Sequence, residues 1–160
     1  MNDAVKKLLG TGLSGGYGSN KYGKINRAGF DLDSSDYAGP EGKYHDEWAA
    51  HQNGGGQELI KTSDGKLWTR VYGGGCPDSK TLSKLGITEK DVSEKIMFYL
   101  KNVGQKSRFD SDFDSNNGDW AYSYKVIENI KEIPVTVGRE EIRYKGSLVF
   151  VHFLINTPVD

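Results

Sequence analysis

Hydrophobic and polar positions along the chain change period several times, and each change marks an element. Residues 3–9 place Val5, Leu8 and Leu9 at helical spacing, with Asn2 or Asp3 as the cap and Gly10 and Gly12 as the stop. Residues 15–42 are rich in Gly, Ser, Asn and Asp and read as irregular structure, with one strand near 24–32. So long a stretch without elements is unusual in a compact domain unless it is functional or mobile. From residue 43 to 50 the period becomes two, and Tyr44, Asp46 and Trp48 share one face of a strand. Residues 57–62 and 66–73 flank Ser63-Asp64-Gly65, a strong hairpin signal. Trp68 and Arg70 fall on one face of the second arm, with Leu67, Thr69 and Val71 on the other.

The pattern breaks at Gly73-Gly74-Gly75-Cys76-Pro77 and returns as a helix over 88–103. Thr88 and Asp91 form a variant capping box, and Val92, Ile96, Tyr99, Leu100 and Val103 recur on one side. Gly104 ends that helix, and Asn116-Asn117-Gly118 makes a turn. Tyr122, Tyr124 and Val126 then alternate with polar residues as a half-buried strand. Residues 134–144 read as a strand weakened or bulged at Gly138. After a turn at Lys145-Gly146, residues 148–155 are apolar on both faces, which predicts a central strand covered on both sides. The order of elements predicts an α+β fold: a single curved, mostly antiparallel sheet with two helices packed on one side. The 160 residues fit a single domain, and no internal repeat is visible.

Composition narrows the function classes. The longest apolar run, 148–155, is interrupted by His152 and falls far short of the ~20 residues of a spanning helix. The first residues lack the apolar stretch of a secretory signal. Cys76 is the only cysteine, so no disulfide forms within the chain, and a reducing, cytoplasmic setting is expected. Lys and Arg number 21 against 22 Asp and Glu, a net charge of −1 without the basic surplus of a bulk nucleic-acid binder. Glycine, at 21 residues, is in excess and predicts many turns and close backbone approaches.

The chain carries Tyr44-x-Asp46-x-Trp48, then Gly56-x-Glu58, Gly65, Trp68, Tyr72 and Gly74. It continues with Gly118-Asp119-Trp120-x-Tyr122, then Gly138-x-Glu140-Glu141-Ile142-x-Tyr144-x-Gly146 and Val149-Phe150. This order of landmarks resembles an uncharacterised bacterial family, domain of unknown function 5680. The landmarks run from about residue 8 to 153, and the chain departs from the pattern at 17–42 and 76–86. Members of that family often follow a helix-turn-helix module in regulator-like proteins, and the N-terminal segment here is too short to hold one. The resemblance implies the fold and carries no mechanism.

Several motifs fail on context. Gly10-x-Gly12-x-x-Gly15 matches the dinucleotide fingerprint, but a helix precedes it where a strand is required. His45 and His51 lack zinc spacing, and His152 reads as a core or pocket residue. Asp110, Asp112 and Asp114 begin like a calcium loop, but Ser115 and Ala121 occupy positions that need Gly and Glu. A nucleophilic cysteine needs a base that lowers its pKa, and no family-type cysteine signature surrounds Cys76. No metal and no cofactor is expected.

Asp46 and Glu58 lie on adjacent strands close to Trp48. With Trp48, Trp68, Tyr72 and Tyr122 as walls, Asp46 and Glu58 as polar anchors and Arg70 facing an anion on the ligand, one sheet face would form a binding site. The glycine triplets 54–56 and 73–75 would make its rim. The expected function is a small soluble binding module that senses or sequesters a small-molecule ligand, or binds a partner protein. One alternative is a hydrolase or lyase using Asp46 and Glu58 as acid and base. Another is an immunity- or inhibitor-like protein acting through acidic surface at 31–36 and 110–119.

Overall fold

The computed structural model describes residues 3–159; of the two expected caps for the first helix, Asn2 lies outside them. Among these described residues nine strands form one open antiparallel sheet. In chain order they are β1 (Gly23–Arg27), β2 (Phe30–Gly39), β3 (Gly42–Ala50), β4 (Asn53–Thr62), β5 (Leu67–Gly75), β6 (Phe113–Asn117), β7 (Trp120–Ile130), β8 (Val135–Tyr144) and β9 (Ser147–Pro158). Across the sheet the order is β1-β2-β3-β4-β5-β9-β8-β7-β6. Two meanders thus meet at β5 and β9, the one place where sequence neighbours do not pair. The helices α1 (Asp3–Gly15), α2 (Ser79–Lys84) and α3 (Glu89–Val103) accompany the sheet. The α+β fold with its antiparallel sheet is as expected, and the short α2, capped by Asp78, is an addition to the two expected helices.

α3 begins with the capping box read from the sequence: Thr88 accepts from the Asp91 amide, and the Asp91 carboxylate accepts from the Thr88 amide. Its Val92 and Tyr99 join Tyr122, Tyr124, Ile142, Val149, Phe150 and Leu154 in one apolar cluster. Leu100, a residue further on, joins a second cluster with Val5, Leu8, Leu9, Leu13, Tyr44 and Ile60. α3 therefore lies across the junction of the meanders and closes both halves of the core. Full burial of each such Leu, Val or Ile contributes about 1.5–3 kcal/mol.

Five expectations need correction. α1 does not stop at Gly10 but runs through Gly10 and Gly12 to Gly15. A Cβ on Gly12 would lie 2.3 Å from the Tyr44 ring, so the glycine here allows close packing and does not break the helix. Residues 15–42 are not irregular. After a 3₁₀ turn at Tyr17–Ser19 they form the hairpin β1–β2, an edge pair whose mostly polar residues hide its period. The glycine triplets are paired strand, not loop: Gly54 faces Gly74, Gly55 faces Gly73 and Gly56 faces Tyr72. The last strand, β9, is central but covered on one face only. Phe150 and Leu154 are buried, whereas Phe153 and Ile155 are exposed and join Leu59 and Val71 on the open face. In place of the bulge expected at Gly138, one irregularity lies opposite it on β7, between Val126 and Glu128. A second lies where β8 meets β9, between Ile142 and Arg143. Gly138 instead leaves room for Tyr124, whose hydroxyl would lie 2.0 Å from a Cβ there.

Candidate functional site

The covered face carries charge as well as apolar bulk. Glu58, Arg70, Arg108 and Glu140 are all essentially buried. Arg70 grips Glu58 through Nε and Nη2, the latter 2.7 Å from Oε1, and its Nη1 donates to the Arg108 carbonyl at 3.1 Å. Arg108 grips Glu140 in the same way, with Nε to Oε1 at 2.7 Å and Nη2 to Oε2 at 2.5 Å. The Tyr44 hydroxyl donates to Glu58 and the Tyr122 hydroxyl to Glu140. Burial alone would raise the Glu140 carboxyl, but the Arg108 guanidinium against it holds it below the usual range. Arg108 reaches this position from the segment after α3 with a left-handed backbone, φ 68°. Such a conformation is unfavourable for a residue with a side chain and persists where the surroundings over-determine it. Here both its guanidinium and its carbonyl are held.

Beside this network lies a cavity of about 260 Å³. β3 supplies Asp46, Trp48 and Ala50 to its wall, β5 supplies Tyr72, β9 supplies Phe150 and His152, and Arg108 is also exposed to it. α3 roofs it with Val92, Ser93, Ile96 and Leu100, while Tyr17 and Tyr22 close one side. The strand glycines explain why there is space. On the covered face the cross-strand row Ala50–Gly54–Gly74–His152 has no side chain at its two middle positions. In the next row Gly56 separates Trp48 from Tyr72, and a Cβ there would lie 2.6 Å from the Tyr72 hydroxyl. That hydroxyl donates across the gap to Asp46, at 3.0 and 3.3 Å from its two oxygens.

Two aromatic groups flank the space. Trp48 meets Tyr22 and Tyr17 edge-on, with ring centres 5.2 and 5.7 Å apart. Opposite, His152 lies between Phe150 and Tyr72, at 4.4 and 5.4 Å. Burial, reinforced by the negative charge of Glu58, pushes the Asp46 carboxyl up to about 8. Burial takes His152 down to about 4, so the imidazole is neutral at pH 7. The His152 Nδ1 is buried with no hydrogen-bond partner among the described residues. It sits 3.9 Å from Glu140 Oε2, too far for a hydrogen bond.

Of the expected site residues, the structure brings Asp46, Trp48 and Tyr72 together on this cavity. Glu58 and Arg70 sit behind its wall, fully buried and bound to each other, so Arg70 does not face a ligand. Trp68 packs against the cluster under α1, and Tyr122 is a core residue bonded to Ser107 and Glu140. Cys76 borders the cavity with its thiol pushed up by burial, which leaves it a poor nucleophile. Gly54, Gly55, Gly74 and Gly75 line the cavity as paired strand residues, where a loop rim was expected. Sequence reasoning missed Arg108, Tyr17, Tyr22 and the role of His152. For His152 a signal existed, a lone polar residue in phase with Phe150 and Leu154 on the most apolar strand. Arg108 carried none, since its segment has no period. Among the described residues no group of three His, Cys, Asp or Glu is placed to hold a metal ion, and no helix is long and apolar enough to cross a membrane. No family model, no curated protein and no solved structure matches the chain.

Proposed function

We propose that the protein is a small-molecule binding module whose ligand occupies the cavity beneath α3. The observation that carries this reading is a preformed hollow on the covered face of the sheet. In a close-packed interior, voids larger than a water molecule are few. Here one of about 260 Å³ is kept open by glycines in paired strands and lined by polar groups the protein leaves unused. Besides His152, Arg108 Nη1 makes no hydrogen bond to the described residues. Aromatic walls with a few convergent polar groups are the usual make-up of a ligand site. Kinship with domain of unknown function 5680 is proposed alongside. Asp46, Trp48, Tyr72 and Gly74, landmarks of that resemblance, are also residues that line the cavity.

A hydrolase or lyase is the second reading, favoured by one observation. Asp46 stays a carboxylic acid up to about pH 8 and is available as a general acid. Glu58, its expected partner, is committed to Arg70, which leaves neutral His152 as the base facing the cavity.

Native mass spectrometry of the protein drawn gently from its own host's lysate tests the binding reading. The expected result is a reproducible small-mass adduct that is absent from Ala50→Trp, since Ala50 is exposed at the cavity wall and a larger side chain there fills the space without disturbing the core. A bare protein, or an adduct unchanged in Ala50→Trp, would overturn it.

A further inference from the structure

Among the described residues the covered face has three buried carboxylates, Asp46, Glu58 and Glu140. Two have their own arginine: Glu58 has Arg70 and Glu140 has Arg108. Asp46 has the Tyr72 hydroxyl only, and it is the one of the three that lines the cavity. Two further carboxylates, Asp33 and Glu89, border the same space. Asp33 is engaged by Lys24, and Glu89 accepts from Ser79. Among the described residues no basic group pairs with Asp46 itself. Both Arg108 nitrogens that carry its paired contacts go to Glu140, and His152 is neutral. Aromatic rings line the walls: Trp48, Tyr17, Tyr22 and Tyr72. A buried carboxylate without a cation, set among aromatic rings, is the arrangement that attracts an organic cation, through charge and through the ring quadrupoles.

From this, and resting on the binding reading above, we infer that the cavity takes a small organic cation, an amine or quaternary ammonium of metabolite size, with its charge against Asp46 and its alkyl groups on Trp48 and Tyr72. Trp48 and Tyr72 stand two strands apart, roughly 9–10 Å at the usual strand spacing, with only Gly56 between them. An anion gains little there, because it would meet the Glu89 carboxylate with a single unused Arg108 nitrogen in return. Among the described residues no group of three His, Cys, Asp or Glu is placed to hold a hard metal ion there.

The ligand's charge would replace the proton on Asp46. The charged and titratable groups facing Asp46 are Glu58 on β4, Tyr44 on β3, Arg70 and Tyr72 on β5, and Arg108 after α3. Their sum, with burial, leaves Asp46 mostly protonated at pH 7, so binding a cation releases close to one proton.

The test is calorimetric titration at pH 7 and 8 with choline and tetramethylammonium. The comparisons are the neutral isostere 3,3-dimethylbutan-1-ol and the anion 3,3-dimethylbutanoate. Choline is expected to bind at least tenfold more tightly than the alcohol, with proton release at pH 7 read from buffers of different ionisation heat. Asp46→Asn, which keeps an acceptor for Tyr72, removes both the preference and the proton. Alcohol binding as tightly as choline, or anion binding more tightly, would overturn the inference while leaving a ligand-binding cavity in place. Failure of all four to bind also overturns it; the binding reading then falls only if the host-derived protein carries no adduct.

Discussion

Asp46 and His152 titrate in opposite senses, and together they shape how stability depends on pH. The folded value of Asp46, about 8, lies above the ~3.9 of an unfolded chain. The folded state therefore holds the extra proton between those values, and stability falls as pH rises through that window. The folded value of His152, about 4, lies below the unfolded ~6.5, so its contribution is lost as pH falls from 6.5 towards 4. The two slopes cancel between ~4 and ~6.5 and leave Asp46 alone from ~6.5 to ~8, a loss of about 2 kcal/mol at about 1.4 kcal/mol per pH unit. Urea unfolding of the ligand-free protein at pH 6.5, 7.2 and 8 checks this. Wild type should lose stability across the series and Asp46→Asn should not. A flat wild-type series would mean that the Asp46 carboxylate is already charged at pH 6.5.

Among the elements, α1 shows how a residue's meaning depends on what its element packs against. Gly10 and Gly12 carry a stop signal in the sequence, yet the helix continues because neighbours occupy the space a Cβ would take. Gly12→Ala should therefore destabilise by about 1–3 kcal/mol despite the better helix propensity of Ala. Gly15, at the end of the same helix, has nothing within 4 Å of its Cβ position. Gly15→Ala should raise stability by roughly 0.5 kcal/mol. Paired thermal melts distinguish the two, and equal effects at both sites would contradict the packing role of Gly12. The same principle decides what could be read in advance. β3, the 88–103 helix and β7 were legible because their side chains alternate or recur in phase with a buried face. The glycine ends of β4 and β5 were not, since a residue without a side chain shows no period. Asp46, Trp48 and Tyr72 could thus be placed on one face, but the hollow between them could not, because it is made of absent side chains.

At the scale of the whole molecule, two apolar clusters share one sheet, and the Glu58–Arg70–Arg108–Glu140 network runs across it from β4 to β8. Arg70 joins the halves, since its Nη1 reaches the carbonyl of Arg108, whose own guanidinium is anchored on β8. Charges are costly to bury, and such pairs are weak evidence for stability, although removing one partner is strongly destabilising. Glu58→Gln should cost about 3–5 kcal/mol, because it strands the Arg70 guanidinium where no water reaches it. Glu58→Leu combined with Arg70→Met removes both charges and should cost clearly less than the sum of the two single changes. Denaturant unfolding of the three variants measures this coupling. The cavity supplies a second readout, because Asp46 faces Glu58 across the β3–β4 pair and owes part of its raised pKa to that charge. In a folded charge-free double variant the Asp46 carboxyl should titrate lower, and the loss of stability between pH 6.5 and 8 should shrink with it. If stability is restored but that pH slope is unchanged, burial alone holds the proton on Asp46, and the network's role is confined to joining the two halves of the sheet.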